Sequence, residues 1–118
     1  MESRIKLKLG NNNLSLKTDL AIPVGLIINE LVTNSLKYAF PNETNGEISI
    51  DIWNDNMGKL NLKVADNGYG IMPKPEMIKS NSFGLNLVDM LTKKLHGHIN
   101  TVSEEGYQTH IEFENKKL

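Results

Sequence analysis

The distribution of apolar residues along the chain divides it into short alternating runs and two helical runs. Residues 4–9 alternate, with Arg4, Lys6 and Lys8 against Ile5, Leu7 and Leu9, the period of a half-buried strand. A Gly-Asn-Asn-Asn turn at 10–13 leads into a short return strand expected at 14–16. The longest periodic run follows. Apolar positions, with the small Ser35 among them, fall at 24, 27, 28, 31, 32, 35, 36 and 39, an unbroken helical stripe. Pro23 suits the first turn of that helix, where its missing N–H costs nothing, and Pro41 marks its exit. Residues 47–54 and 59–66 read as a hairpin around Asn56-Met57-Gly58. Ile48, Ile50 and Ile52 lie on one face, with Leu60, Leu62 and Val64 as the matching set. Residues 71–82, with Pro73 and Pro75, read as a loop with at most a helical turn. A second helix is expected from about Phe83 to His96, ended by Gly97. Strands at about 98–103 and 107–113 close the chain, the last alternating Tyr107, Thr109, Ile111 and Phe113 with Gln108, His110 and Glu112. The order β-β-α-β-β-loop-α-β-β predicts an α+β fold, a two-layer sandwich with a mixed, mostly antiparallel sheet and its helices on one face. It is not the alternation of a doubly wound parallel sheet.

Several polar residues are not required by this pattern. Glu30 and Asn34 are four apart and stack one turn above each other, with Lys37 and Tyr38 one turn on. A carboxylate could take a proton. An amide oxygen is a hard ligand suited to Mg2+. An ammonium could neutralise a phosphate, and a ring could cover a base. From the helix alone the same residues also read as an ordinary polar edge. Asp66 ends a buried strand and precedes Gly68 and Gly70, so a carboxylate faces a gap where a planar ring could approach. Adenine offers an exocyclic amino donor to such an acceptor. Alone, Asp-Asn-Gly is also a common turn. In Ser82-Phe83-Gly84-Leu85 a loop becomes a helix at a glycine. Unpaired N–H groups at such a start suit phosphate, although a Ser82 cap on a plain helix start reads equally well.

Composition narrows the classes. The chain has 118 residues, 39% hydrophobic and 23% charged, the profile of one globular domain, 1–118. With 13 basic and 14 acidic residues the net charge is −1, so no single-sign field points to nucleic acid or to direct membrane contact. The absence of cysteine excludes disulfides, thiolate metal sites and thiol nucleophiles. No apolar run is long enough to span a bilayer, and the charged, alternating N-terminus is unlike a signal peptide. A cytoplasmic setting is expected, with any membrane attachment outside this chain.

Taken in order, NELVTNSLKY (29–38), DNGYGI (66–71) and SFGLNLV (82–88) resemble the N, G1 and G2 boxes of the GHKL superfamily, or Bergerat fold. This ATPase fold is shared by DNA gyrase, ninety-kilodalton heat-shock chaperones, sensor histidine kinases and MutL. The resemblance runs from about Ile5 to Phe113. It is most specific over LAIPVGLIINELVTNSLKYAFP, which is similar to a histidine-kinase subgroup with a short ATP lid. The resemblance implies that Asn34 binds Mg2+ between the phosphates and that Lys37 lies near them. It implies that Tyr38 packs by the adenine, that Asp66 reads the base, and that Gly68 and Gly70 shape its pocket. Ile71 closes the G1 box, Ser82 stands at the first G2 glycine with Phe83 after it, and Gly84 and Leu85 match the second half of the G2 box, so these too are implied to line the nucleotide site. Glu30 stands where many histidine kinases carry asparagine and where gyrase-like ATPases and the short-lid subgroup carry glutamate. Two departures stand out: Ser82 replaces the first G2 glycine, and no clear F box lies between Ile71 and Phe83.

The function this implies is binding of ATP–Mg2+ and transfer of the γ-phosphoryl group to a histidine on a separate dimerisation helix. A response-regulator receiver domain would act downstream. Glu30, Asn34 and Lys37 would be the catalytic set, with Asn34 the metal ligand. His96, His98 and His110 fall at a helix end and on strands, not on an exposed dimerising helix. They read as structural or surface residues, so the acceptor is expected outside this chain. The chain alone is expected to be monomeric and to bind ATP with little autophosphorylation. An anti-sigma-type serine kinase and a non-catalytic nucleotide-binding module are the alternatives.

Overall fold

A computed structural model of the chain describes residues 4–9, 16, 18–40, 45–68, 85–103 and 106–114. The elements are β1 (Arg4–Leu9), α1 (Thr18–Asn34) continued by a π-helical turn (Ser35–Ala39), β2 (Asn45–Asn54), β3 (Lys59–Asp66), α2 (Leu85–Lys94), β4 (His98–Ser103) and β5 (Tyr107–Glu114). The five strands form one sheet in the order β1-β2-β3-β5-β4. β1 runs parallel to β2, and the other pairs are antiparallel. The fold is α+β with a mixed, mostly antiparallel sheet, as the residue pattern predicts.

The alternation of the strands decides which face is covered. Ile50 pairs with Val64, Val64 with Thr109, Leu62 with Ile111 and Leu60 with Phe113. These side chains share one face because directly opposed residues project to the same side. The face is buried against Leu20, Val24, Ile27 and Leu31 of α1 and Val88 and Leu91 of α2. The opposite face carries Trp53, Asn61, Lys63, His110 and Glu112.

Three expectations are corrected. The return strand expected at 14–16 is not seen at Leu16, which packs against the core outside any strand. Residues 14 and 15 lie outside the described residues, and β1 is paired by β2. Pro23 lies inside α1 rather than in its first turn, because the helix begins at Thr18. Leu36, placed on the apolar stripe, is 52% exposed. The π turn explains this last difference. The buried positions run Leu20, Val24, Ile27, Leu31, Ser35 and then Phe40. The final step of five is the widened i→i+5 turn, which turns Leu36 outward and Phe40 inward. Phe40, at φ −126° and ψ 55°, has left the helical region, as the residue before a proline is biased to do.

The end of α2 also differs from expectation. Gly97 was expected to cap it, but the left-handed position is held by His96, at φ 55°. The His96 N–H donates to the Lys93 carbonyl at 3.0 Å, and the Gly97 N–H to the Thr92 carbonyl at 2.8 Å. These are the paired bonds of a Schellman motif, shifted one residue before the glycine. Gly97 is needed for a different reason. A Cβ there would approach the Glu112 carbonyl and the Phe113 ring to 2.8 Å each.

Candidate functional site

The candidate site lies where β3 ends beside the last turn of α1. Asp66, the final residue of β3, is 8% exposed. A buried carboxylate must be hydrogen-bonded, and three donors meet it. The Ser35 hydroxyl donates to Oδ2 at 3.0 Å. The Gly68 and Tyr107 N–H groups donate to Oδ1 at 3.1 and 3.2 Å. They come from three separate stretches of the chain. Ser35 opens the π turn, Gly68 is the second residue after β3, and Tyr107 begins β5. The neighbouring Asn67 fixes the strand exit: its side-chain oxygen accepts the Glu47 N–H at 2.8 Å, and its own N–H donates to the Glu47 carbonyl at 3.2 Å.

Gly106 makes the Tyr107 contact possible. Its φ is +127°, and a Cβ there would overlap the Asp66 carbonyl. Only a residue without a side chain lets the start of β5 lie this close to the end of β3.

Glu30 and Asn34 are half-buried on the last two turns of α1, and Lys37 is exposed on the π turn. Asn34 adjoins Ser35, so the hydroxyl that holds Asp66 also anchors the helix end carrying Asn34 to β3. Tyr38 belongs to the π turn and Leu85 opens α2, but their side chains lie outside the described residues. Gly70, Ile71, Ser82, Phe83 and Gly84 also lie outside them. Among the described residues there is no group of three or more His, Cys, Asp or Glu side chains that could hold a metal.

Ser35, Gly106 and the Tyr107 N–H were missed as site residues in the sequence. Ser35 was counted into the apolar stripe. As a hydroxyl at a buried helical position next to Asn34, it carried a signal. Gly106 looked like an ordinary turn glycine, and nothing local marked its approach to a residue forty positions away.

A profile of the histidine kinase-, DNA gyrase B- and HSP90-like ATPases matches residues 20–117. The chain belongs to this family. It is 34% identical to the sensor histidine kinase YdfH of Bacillus subtilis (strain 168) over 73% of this chain and 20% of that protein. It is 32% identical to the serine-protein kinase RsbW of Listeria monocytogenes over 56% of this chain and 50% of that one. The chain thus spans between a fifth and a half of the curated relatives it matches. Among solved structures, a blue-light activated histidine kinase of Erythrobacter litoralis superposes with a TM-score of 0.83 at 22% identity, over 94% of this chain and 35% of that chain. The Acinetobacter baumannii histidine kinase AdeS gives 0.70 at 18% identity, over 96% and 54%. At these identities the structural likeness speaks for the fold, the Bergerat ATPase architecture.

The three histidines fall at a helix end and on strands. His96 caps α2, and His98 is exposed on β4. His110 Nε2 lies 2.9 Å from Asn61 Oδ1, and its ring stacks on Trp53 with centroids 5.6 Å apart. The Asn61 amide nitrogen is committed to Asp55 and the Lys59 carbonyl. Its oxygen therefore faces His110 and requires the imidazole proton on Nε2.

Proposed function

We propose that this chain is the ATP-binding catalytic domain of a protein kinase, transferring the γ-phosphoryl group to a histidine on a separate helical dimerisation domain. The observation that carries this reading is the buried Asp66 carboxylate. Ser35, Gly68 and Tyr107 hold it in place, and among the described residues a further acceptor position remains on Oδ2. Such a group suits the exocyclic amino donor of adenine. Membership of the ATPase family and likeness to a sensor histidine kinase support the rest.

Phosphoryl transfer asks a protein mainly for positioning and charge neutralisation. Asp66 and Gly68, with Gly70, Ile71 and Tyr38, would fix the base. Lys37 would reach the phosphates as a flexible point charge from the exposed π turn. The N–H groups at the start of α2, with Ser82, Phe83, Gly84 and Leu85, would receive the phosphate oxygens. Asn34 would offer its amide oxygen to Mg2+, which is commonly held by one or two protein oxygens together with substrate phosphates. When bound, the ion would neutralise the developing phosphate charge. Glu30, one turn before Asn34, would accept a proton or orient a water at the metal. The acceptor helix and a response-regulator receiver domain would be partners outside this chain.

A second reading, a serine kinase, is favoured by the likeness to RsbW. The two differ in the bond they make, because phosphohistidine is labile in acid and phosphoserine survives it. We expect label from γ-labelled ATP to move to a histidine-bearing helical hairpin supplied in trans and to be lost on acid treatment. Acid-stable label on serine would overturn the histidine reading. Acid-labile label on the isolated chain would overturn the assignment of the acceptor to another domain.

A further inference from the structure

We propose that Ser35 sets the base selectivity of the nucleotide site by holding Asp66 in an acceptor-only arrangement; the inference rests on the ATP-binding reading above. An ionised carboxylate only accepts hydrogen bonds, with about two positions on each oxygen. Among the described residues, Oδ1 takes the Gly68 and Tyr107 N–H groups, and Oδ2 takes the Ser35 hydroxyl. One position on Oδ2 remains. Because Asp66 cannot donate, the Ser35 proton must point at it. Ser35 then offers only its oxygen lone pairs to anything nearby.

Two acceptor oxygens 3.0 Å apart therefore form the polar edge of the base site. An amino group, with two hydrogens, fits that edge. A carbonyl at the same ring position places oxygen against oxygen with no proton between them, and buried mismatches of this kind discriminate strongly. Without the hydroxyl, Oδ2 would lose the contact that fixes it, and the edge would lose its second acceptor. Both backbone contacts to Oδ1 would remain, so Asp66 would stay in place but Oδ2 would lose the hydroxyl partner that helps fix the tilt of the carboxylate plane.

Position 35 is also set by the local fold. Ser35 is 9% exposed and is the first residue of the π turn, adjacent to Asn34. A hydroxyl in this place acts on the base, by positioning Asp66 and by offering its own oxygen, rather than on the phosphates.

The test compares Mg–ADP with Mg–IDP, which carries a carbonyl where ADP carries the amino group, by calorimetry on the full chain. The wild type is expected to prefer ADP. Ser35→Ala should lower the ADP/IDP preference about tenfold, and Ser35→Cys, which keeps the volume but offers only a weak donor, should shift it the same way. Ser35→Thr, which keeps the hydroxyl, should retain the preference. If Ser35→Ala and Ser35→Cys weaken both nucleotides equally, or leave the ratio unchanged, the serine is merely structural and the inference is overturned. If the wild type binds IDP as tightly as ADP, the acceptor-only edge is overturned while nucleotide binding stands. If the wild type binds neither, the ATP reading fails and the inference with it.

Discussion

At the residue scale, Asp66 holds together groups that are far apart in sequence. Its carboxylate joins the end of α1, the turn after β3 and the start of β5. Gly106 is the residue on which the third of these depends. Gly106→Ala should cost about 2 kcal/mol or more in urea unfolding, because its φ and the Asp66 carbonyl both oppose a Cβ. The same variant should weaken Mg–ADP binding, since the Tyr107 N–H would withdraw from Oδ1. His96 presents the opposite case. An L-residue in the left-handed region is strained, so His96→Gly should stabilise the protein by about 1 kcal/mol, read as a higher urea midpoint at unchanged slope. Little of this was legible locally. Asp66 stood out because it ends an apolar strand before two glycines, whereas its partner Ser35 was concealed by fitting the helical stripe.

At the element scale, the β2–β3 hairpin shows how a turn is held by one side chain. Asp55 Oδ1 accepts the Met57 and Lys59 N–H groups at 2.9 and 3.0 Å, and Oδ2 accepts the Asn61 amide at 3.1 Å. These bonds, first the one from the Lys59 N–H and then the one from Asn61, hold the Asp55 carboxyl below its ordinary value of 3.8. A lowered folded-state pKa means the unfolded chain binds the proton more readily. Stability from Asp55 is therefore present above 3.8 and is lost as the pH falls through the lower folded value. Thermal melts should show wild type above Asp55→Asn at neutral pH, with the gap closing in acid below that range. A gap unchanged by acid would contradict the assignment. The hairpin was readable because alternation and turn chemistry agree there. The π turn was not, because a helical stripe carries no mark of where its period widens, and Leu36 was placed inward as a result.

At the scale of the whole molecule, the strand alternation fixed which face is buried, and the register aligns Ile50, Val64 and Thr109 as it requires. The parallel pairing of β1 with β2 was not legible, because alternation states that a strand is half-buried but not beside which neighbour it lies. The order of the three boxes carried the family, and the profile match over residues 20–117 bears it out. Of the residues proposed for the site, Glu30, Asn34, Lys37, Asp66 and Gly68 fall among the described residues. The central claim is that the Asp66 carboxylate reads an adenine. Calorimetric titration of Mg–ADP into wild type and Asp66→Asn tests it most directly, with a thermal melt to confirm that the nearly isosteric variant is folded. The account expects binding by the wild type and a loss of tenfold or more in the variant. No binding by the wild type, or equal binding by a folded Asp66→Asn, would contradict it.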